Sequence, residues 1–213
     1  LMPQTGFIAI VGRPNAGKST LLNAVLGTKV SIVTPKAQTT RERVLGILTE
    51  KNAEEVRGQI IFIDTPGIHK AKPGGINAFM VQEAKEALDS PSVVWYLVDP
   101  NSTLEHENTV LEMLEKSGAP VFLVMTKFDL KGYHYSVGML EDLETKLQEA
   151  FIARGIKIQK AFRVAMEKKI RGVDELLAAS WALIPEHPVF YPDEDQLSYL
   201  PTRFFVAEKV REQ

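Results

Sequence analysis

The sequence contains no cysteine. That excludes disulfides, thiolate metal sites and cysteine nucleophiles together, and it suits a reducing, cytoplasmic setting. Long apolar runs are lacking as well. The longest, Val93 to Val98 and Ala119 to Met125, are strand-sized and far short of a bilayer span, so no transmembrane segment is expected. Leu1-Met2-Pro3-Gln4 has no basic segment leading into an apolar one, and no secretion signal is read there. A surplus of one charge sign is missing too. The formal net charge is -2, which gives the chain as a whole no electrostatic footprint for nucleic acid or an acidic membrane surface. What is present is an average globular composition of 45% apolar and 24% charged residues, against disorder and against fibrous or low-complexity classes. At 213 residues the length suits one domain of common size with a remainder that needs an explanation.

Apolar periodicity alternates between strands and helices for most of the chain. Phe7 to Val11 is short, apolar and β-rich, and a helical segment follows from Gly17 to about Gly27. Val44 to Thr49 and Val56 to Ile63 are strand-like runs joined by the polar Glu50 to Glu54, a connection short enough for an antiparallel pair. Met80, Ala84 and Leu88, and then Leu140, Leu143, Leu147 and Phe151, recur at helical spacing, separated by the strands Val93 to Val98 and Val121 to Met125. A last unit pairs the run Ile156 to Ala165 with a helix carrying Val173, Leu176, Leu177, Ser180, Trp181 and Ile184. The pattern predicts an α/β fold of three layers, with a six-stranded, mostly parallel sheet, one antiparallel strand and helices on both faces. It covers residues 3–184. From Pro185 to about residue 200, Pro185, Pro188 and Pro192 with Asp193, Glu194 and Asp195 read as an acidic linker. Residues 201–213 have the helical spacing Phe204, Ala207, Val210, but a dozen residues do not hold a helix unaided in water.

Chemistry concentrates at three places. Gly12-Arg13-Pro14-Asn15-Ala16-Gly17-Lys18-Ser19 matches GxxxxGK[ST] between the first strand and the first helix. There the backbone amides and the helix N-terminus face phosphate, Lys18 adds charge for the β- and γ-phosphates, and the Ser19 hydroxyl suits Mg²⁺. Asn15 has two readings: its amide oxygen can coordinate a monovalent cation and so assist catalysis, or the residue is there because asparagine tolerates the turn. Asp64-Thr65-Pro66-Gly67 ends the strand Ile60 to Ile63, where a carboxylate can hold Mg²⁺ through water and the Gly67 amide can approach a γ-phosphate. Ile68 follows and is apolar, so it does not orient an attacking water. Between these segments, Thr34, Thr39 and Thr40 lie in a polar stretch, and Thr40 is the favoured candidate to close the Mg²⁺ shell in a switch between ordered and disordered states. Thr126-Lys127-Phe128-Asp129 follows a buried strand at the carboxyl end of the sheet. Asp129 can accept from guanine N1-H and the 2-amino group together, a pair that adenine lacks. In Val164-Ala165-Met166, the amide of Ala165 is a candidate donor to guanine O6.

GRPNAGKS at 12–19, SIVTPKAQTTR at 31–41 and DTPGIH at 64–69 resemble the Era family of ribosome-assembly GTPases, within the translation-factor-related P-loop class. The resemblance implies GTP hydrolysis with Mg²⁺, K⁺ as a further candidate cation, and slow intrinsic turnover, since no arginine finger is evident. It implies catalytic roles for Lys18, Asn15, Thr40 and Gly67, and metal ligation by Ser19, Thr40 and Asp64. Nucleotide contacts fall on Gly12, Arg13, Pro14, Asn15, Ala16, Gly17, Lys18, Ser19 and Thr20. Further contacts fall on Asp64, Thr65, Pro66, Gly67 and Ile68, and on Thr126, Lys127, Asp129 and Ala165. Residues 191–213 resemble the family's linker and the first helix of its KH domain, which would bind small-subunit rRNA through a part lying beyond this sequence. A role in small-subunit assembly and 16S rRNA maturation follows, in the cytoplasm or peripherally at the inner face of the membrane. Rival readings are a nucleotide-gated binding module with negligible turnover, a tRNA-modification GTPase domain, which shares GRPNAGKS, and an ATP-using small-molecule kinase. The family usually has asparagine where Thr126 stands, and Ser-Ala where Val164-Ala165 stands.

Overall fold

The computed structural model describes residues 2–28, 44–52, 55–64, 91–127, 137–166 and 169–190. Its elements run β1 (Gln4–Gly12), α1 (Lys18–Thr28), β2 (Val44–Asn52), β3 (Glu55–Asp64), β4 (Val93–Val98), α2 (Leu104–Ser117), β5 (Val121–Met125), α3 (Val137–Arg154), β6 (Ile158–Arg163) and α4 (Val173–Trp181). The strands form one six-stranded sheet in the order β2-β3-β1-β4-β5-β6. β2 is antiparallel to β3, and every other pairing is parallel. The expected α/β architecture is therefore observed, down to the single antiparallel strand.

The central strands are apolar at consecutive positions because both faces of the sheet are covered. Successive side chains point to opposite faces. Phe7, Ala9 and Val11 of β1, with Val94, Tyr96 and Val98 of β4, enter a core shared with Val110, Leu111 and Leu114 of α2 and Leu140, Leu143, Leu147 and Phe151 of α3. Ile8 and Ile10, with Val93, Trp95 and Leu97, face Leu21, Val25 and Leu26 of α1 and Val173, Leu176 and Leu177 of α4. β6 lies at an edge and is mostly exposed.

α2 stands outside the sequence expectations. Its sequence LEHENTVLEMLEKS is so polar that only Val110, Leu111 and Leu114 mark the buried face, together with one buried carboxylate, Glu107. Local signals for it do exist. Thr103 caps the start by accepting from the His106 amide, and Gly118 ends the helix at φ 65. The helix expected around Met80, Ala84 and Leu88 lies outside the described residues.

Packing also continues past Ile184 into the proline-bearing stretch. Thr5 N donates to Pro185 O at 3.0 Å and His187 N to Pro3 O at 2.9 Å, so these residues lie beside the start of β1. Ile184 belongs to the α1/α4 core. Phe190 belongs to the opposite core, its ring 5.2 Å from that of Phe7. Prolines suit this strap, because their fixed φ favours extended backbone and the contact to Pro185 needs only its carbonyl.

Candidate functional site

The segment between β1 and α1 folds as the phosphate-loop reading requires. Ala16 N donates to Arg13 O at 3.1 Å and closes a turn over Arg13–Ala16, and Leu21 N donates to Gly17 O at 2.9 Å as α1 begins. Gly17 has φ 98, a conformation that side chains resist. Gly12 is needed for closeness: a Cβ there would meet Leu97 O at 2.8 Å. Asn15 has φ 64, the left-handed region that asparagine tolerates better than other side chains, which supplies a conformational reason for this residue at this place. Pro14 and Asn15 are exposed, Lys18 and Ser19 are half-buried at the start of α1, and Thr20 is exposed.

Thr126 joins this loop to the segment after β5. It is fully buried, and its hydroxyl donates to Ala16 O at 2.6 Å while its amide donates to Val98 O at 3.0 Å. A hydroxyl is thus enough to tie the phosphate loop to the segment after β5 where the family usually has an amide. Lys127 follows at φ 61, and its ammonium pairs with Asp99 at 2.9 Å. No local motif marks Asp99; the signal for it is its place at the carboxyl end of a parallel strand, the usual ligand edge of such sheets.

Ala165 forms an isolated antiparallel bridge with Arg171. Its amide donates to Arg171 O at 3.1 Å, and Arg171 N returns a bond to Ala165 O at 3.0 Å. The amide that is the candidate donor to guanine O6 is thus bonded within a two-residue bridge next to β6. Asp64 ends β3 in register with Ile10 of β1, on the same end of the sheet as Ser19. Thr34, Thr39, Thr40, Thr65, Pro66, Gly67, Ile68, Phe128 and Asp129 lie outside the described residues, as do residues 191–213.

A polar chain, buried at Tyr96 and Glu107 and half-buried at Ser102 and Arg13, borders the loop. Arg13 Nη1 donates to Ser102 Oγ at 3.4 Å, Ser102 donates to Glu107, and the Tyr96 hydroxyl donates to the other Glu107 oxygen at 2.5 Å. Burial first, and then the Glu107 carboxylate, push the Tyr96 hydroxyl well above its usual range, while the Arg13 charge acts the other way. No helix of the described residues is long and apolar enough to cross a membrane.

A family model described as 50S ribosome-binding GTPase matches residues 7–127. The chain is 38% identical over 211 residues to a GTPase Era of Carboxydothermus hydrogenoformans, covering 99% of this chain and 65% of that protein. Among solved structures, an Aquifex aeolicus Era variant bound to GDP and AlF4⁻ is 35% identical with TM-score 0.61, over 98% of this chain and 66% of that one. An Era in complex with MgGDPNP and nucleotides 1506–1542 of 16S ribosomal RNA is 34% identical with TM-score 0.61, over 99% and 66%. The chain thus spans about two thirds of the length of these relatives, 65% of the curated one. With its phosphate loop set between β1 and α1 and tied by Thr126 to the segment after β5, the chain belongs to the family described as 50S ribosome-binding GTPase, and its likeness there is to the Era GTPases.

Proposed function

We propose that this chain is the guanine-nucleotide switch of an Era-type protein: it binds GTP with Mg²⁺, hydrolyses it, and acts in small ribosomal subunit assembly and 16S rRNA maturation. The observation that carries the reading is the joint between Ala16 and Thr126, which sets a phosphate-binding loop and a base-reading segment in fixed relation at the carboxyl ends of parallel strands. The family description names the 50S subunit, whereas the solved Era complex carries 16S RNA, which belongs to the small one. The likeness to the 16S complex extends over 99% of the chain, whereas the family match spans residues 7–127, and this favours the small subunit.

In this reading the loop amides and Lys18 hold the β- and γ-phosphates, and Asp129 accepts from the guanine edge. Ser19, Asp64 and Thr40 would hold Mg²⁺. The oxygen donors fit that ion, and the register of β1 with β3 brings Ser19 and Asp64 to the same end of the sheet. Bound Mg²⁺ supplies neutralisation of phosphate charge. The Gly67 amide approaches the γ-phosphate, and Asn15 is the candidate for holding K⁺. Residues 201–213 are assigned to the start of a KH module, to which RNA recognition belongs.

The test is Mg²⁺-dependent GTP turnover, in K⁺ and in Na⁺, by the wild type, Lys18→Ala and Asp129→Asn. The wild type is expected to turn over well below about 1 s⁻¹, as for GTPases without an arginine finger. Lys18→Ala abolishes turnover, Asp129→Asn loses the preference for GTP over ATP, and K⁺ exceeds Na⁺. Equal use of ATP and GTP by the wild type would refute the reading, as would an undiminished rate in Lys18→Ala.

A further inference from the structure

We infer that Glu107 is a positioning residue for the phosphate loop, acting through Ser102 on Arg13. The inference rests on the GTPase reading above only in taking residues 12–19 as the phosphate site.

Glu107 is 1% exposed. Its position on α2, one turn before Val110 and Leu111, is one where an apolar side chain would pack without a desolvation cost. Burying a carboxylate is costly unless its oxygens are satisfied, and replacing buried charged groups by well-packed hydrophobes of similar volume is often neutral or stabilising. Stability alone therefore gives little reason for a glutamate here. The bonding runs in one direction. Tyr96, on the strand whose residue pairs include Val11–Tyr96 and Gly12–Leu97, donates to one oxygen and pins the carboxylate to the sheet beside the loop. Ser102 donates to the other oxygen, which turns its own lone pairs outward to accept from Arg13. Glu107 also lies in the first turn of α2, where the helix dipole favours its negative charge.

The turn that carries Ser102 has a second hold. Ser102 N donates to Asp99 O at 2.9 Å, Asn101 N donates to Asp99 Oδ1 at 2.9 Å, and Asp99 Oδ2 pairs with Lys127. One short turn therefore braces the phosphate loop through Arg13 and the base-reading segment through Lys127. Releasing Ser102 from Glu107 frees the Arg13 side of the loop while leaving the core of the domain in place.

The test is GDP affinity of the full chain, measured well below the unfolding temperature, for the wild type, Ser102→Ala, Ser102→Thr, Glu107→Gln, Arg13→Ala and the double variant Arg13→Ala/Glu107→Gln. Loss of a hydrogen bond to a charged group predicts GDP binding weakened about tenfold in Ser102→Ala, Glu107→Gln and Arg13→Ala. The double variant is expected to bind no more weakly than Arg13→Ala alone, because both changes break the same chain. Ser102→Thr keeps the hydroxyl and restores affinity to within about threefold. If Glu107→Gln fails to fold, the Ser102→Ala and Ser102→Thr pair carries the comparison. A purely structural role lowers unfolding stability and leaves GDP affinity unchanged; that result, or losses that multiply in the double variant, overturns the inference while the GTPase reading stands. A wild type that binds no guanine nucleotide overturns both.

Discussion

Replacing Thr126 by valine removes one hydroxyl from the joint between the phosphate loop and the segment after β5 and little else. The side chain is fully buried, its hydroxyl donates to Ala16 O at 2.6 Å, and Val98 O, 3.4 Å from that hydroxyl, keeps the Thr126 amide at 3.0 Å. Valine preserves the shape and the amide bond, so the loss falls on Ala16 O, itself on a buried residue. A buried acceptor deprived of its donor costs about 1–3 kcal/mol. The methyl that replaces the hydroxyl returns up to about 0.8 kcal/mol. The net expectation is a loss of about 0.2–3 kcal/mol, which for a domain of this size lowers Tm by up to about 12 °C. Urea unfolding of the nucleotide-free chain measures the first quantity, and thermal scans with and without GDP measure the coupling to the site. Because the orphaned acceptor lies in the phosphate loop, the rise in Tm that GDP produces is expected to shrink in the variant. Unfolding free energy equal to or above that of the wild type would show that the hydroxyl does not hold Ala16. A lowered stability with an undiminished GDP increment would show a joint that is structural and nothing more.

Two further variants test the buried polar groups. Ser180→Ala leaves the indole N-H of fully buried Trp95 without the hydroxyl it meets at 2.9 Å. The expected loss is about 1–3 kcal/mol in urea unfolding, and a change below about 0.5 kcal/mol would refute the pairing. Tyr96→Phe removes a donor at 2.5 Å from Glu107, with an expected loss of about 1.5–3 kcal/mol near neutral pH. It also alters the alkaline limb. Burial, and then Glu107, raise the folded-state pKa of Tyr96 above its ordinary value of 10.0. The native phenol stays protonated where the unfolded one ionises, so this part of the stability is complete below pH of about 10 and is lost as pH rises beyond it. Urea midpoints between pH 8 and 11 are expected to fall more steeply for wild type than for Tyr96→Phe, and equal slopes would contradict the assignment.

Most of the sheet was legible because its signals are local. A continuous apolar strand such as Val93 to Val98 declares that both its faces are covered, and α3 and α4 declare themselves by Leu140, Leu143, Leu147 and Val173, Leu176, Leu177. α2 was not legible in the same way. Its buried face includes Glu107, a residue whose type ordinarily marks solvent, so the apolar stripe is interrupted where the periodicity is read. In the proline-bearing stretch after Ile184, composition registers the prolines, while the contacts of Pro185, His187 and Phe190 depend on the distant start of β1.

The candidate site divides along the same line. The sequence by itself determined the phosphate loop, because GRPNAGKS combines two glycines, a lysine and a serine at spacings that only local backbone geometry has to satisfy, between a strand and a helix that announce themselves. Tertiary structure alone decided that Thr126 donates to Ala16 across 110 positions of sequence. It decided as well that the Ala165 amide is taken by Arg171, and that Glu107 lies buried within one hydroxyl of Arg13. Each of these depends on where segments far apart in the chain are brought together, and hydrogen-bond partners are chosen by that proximity, not by the identity of neighbours in sequence.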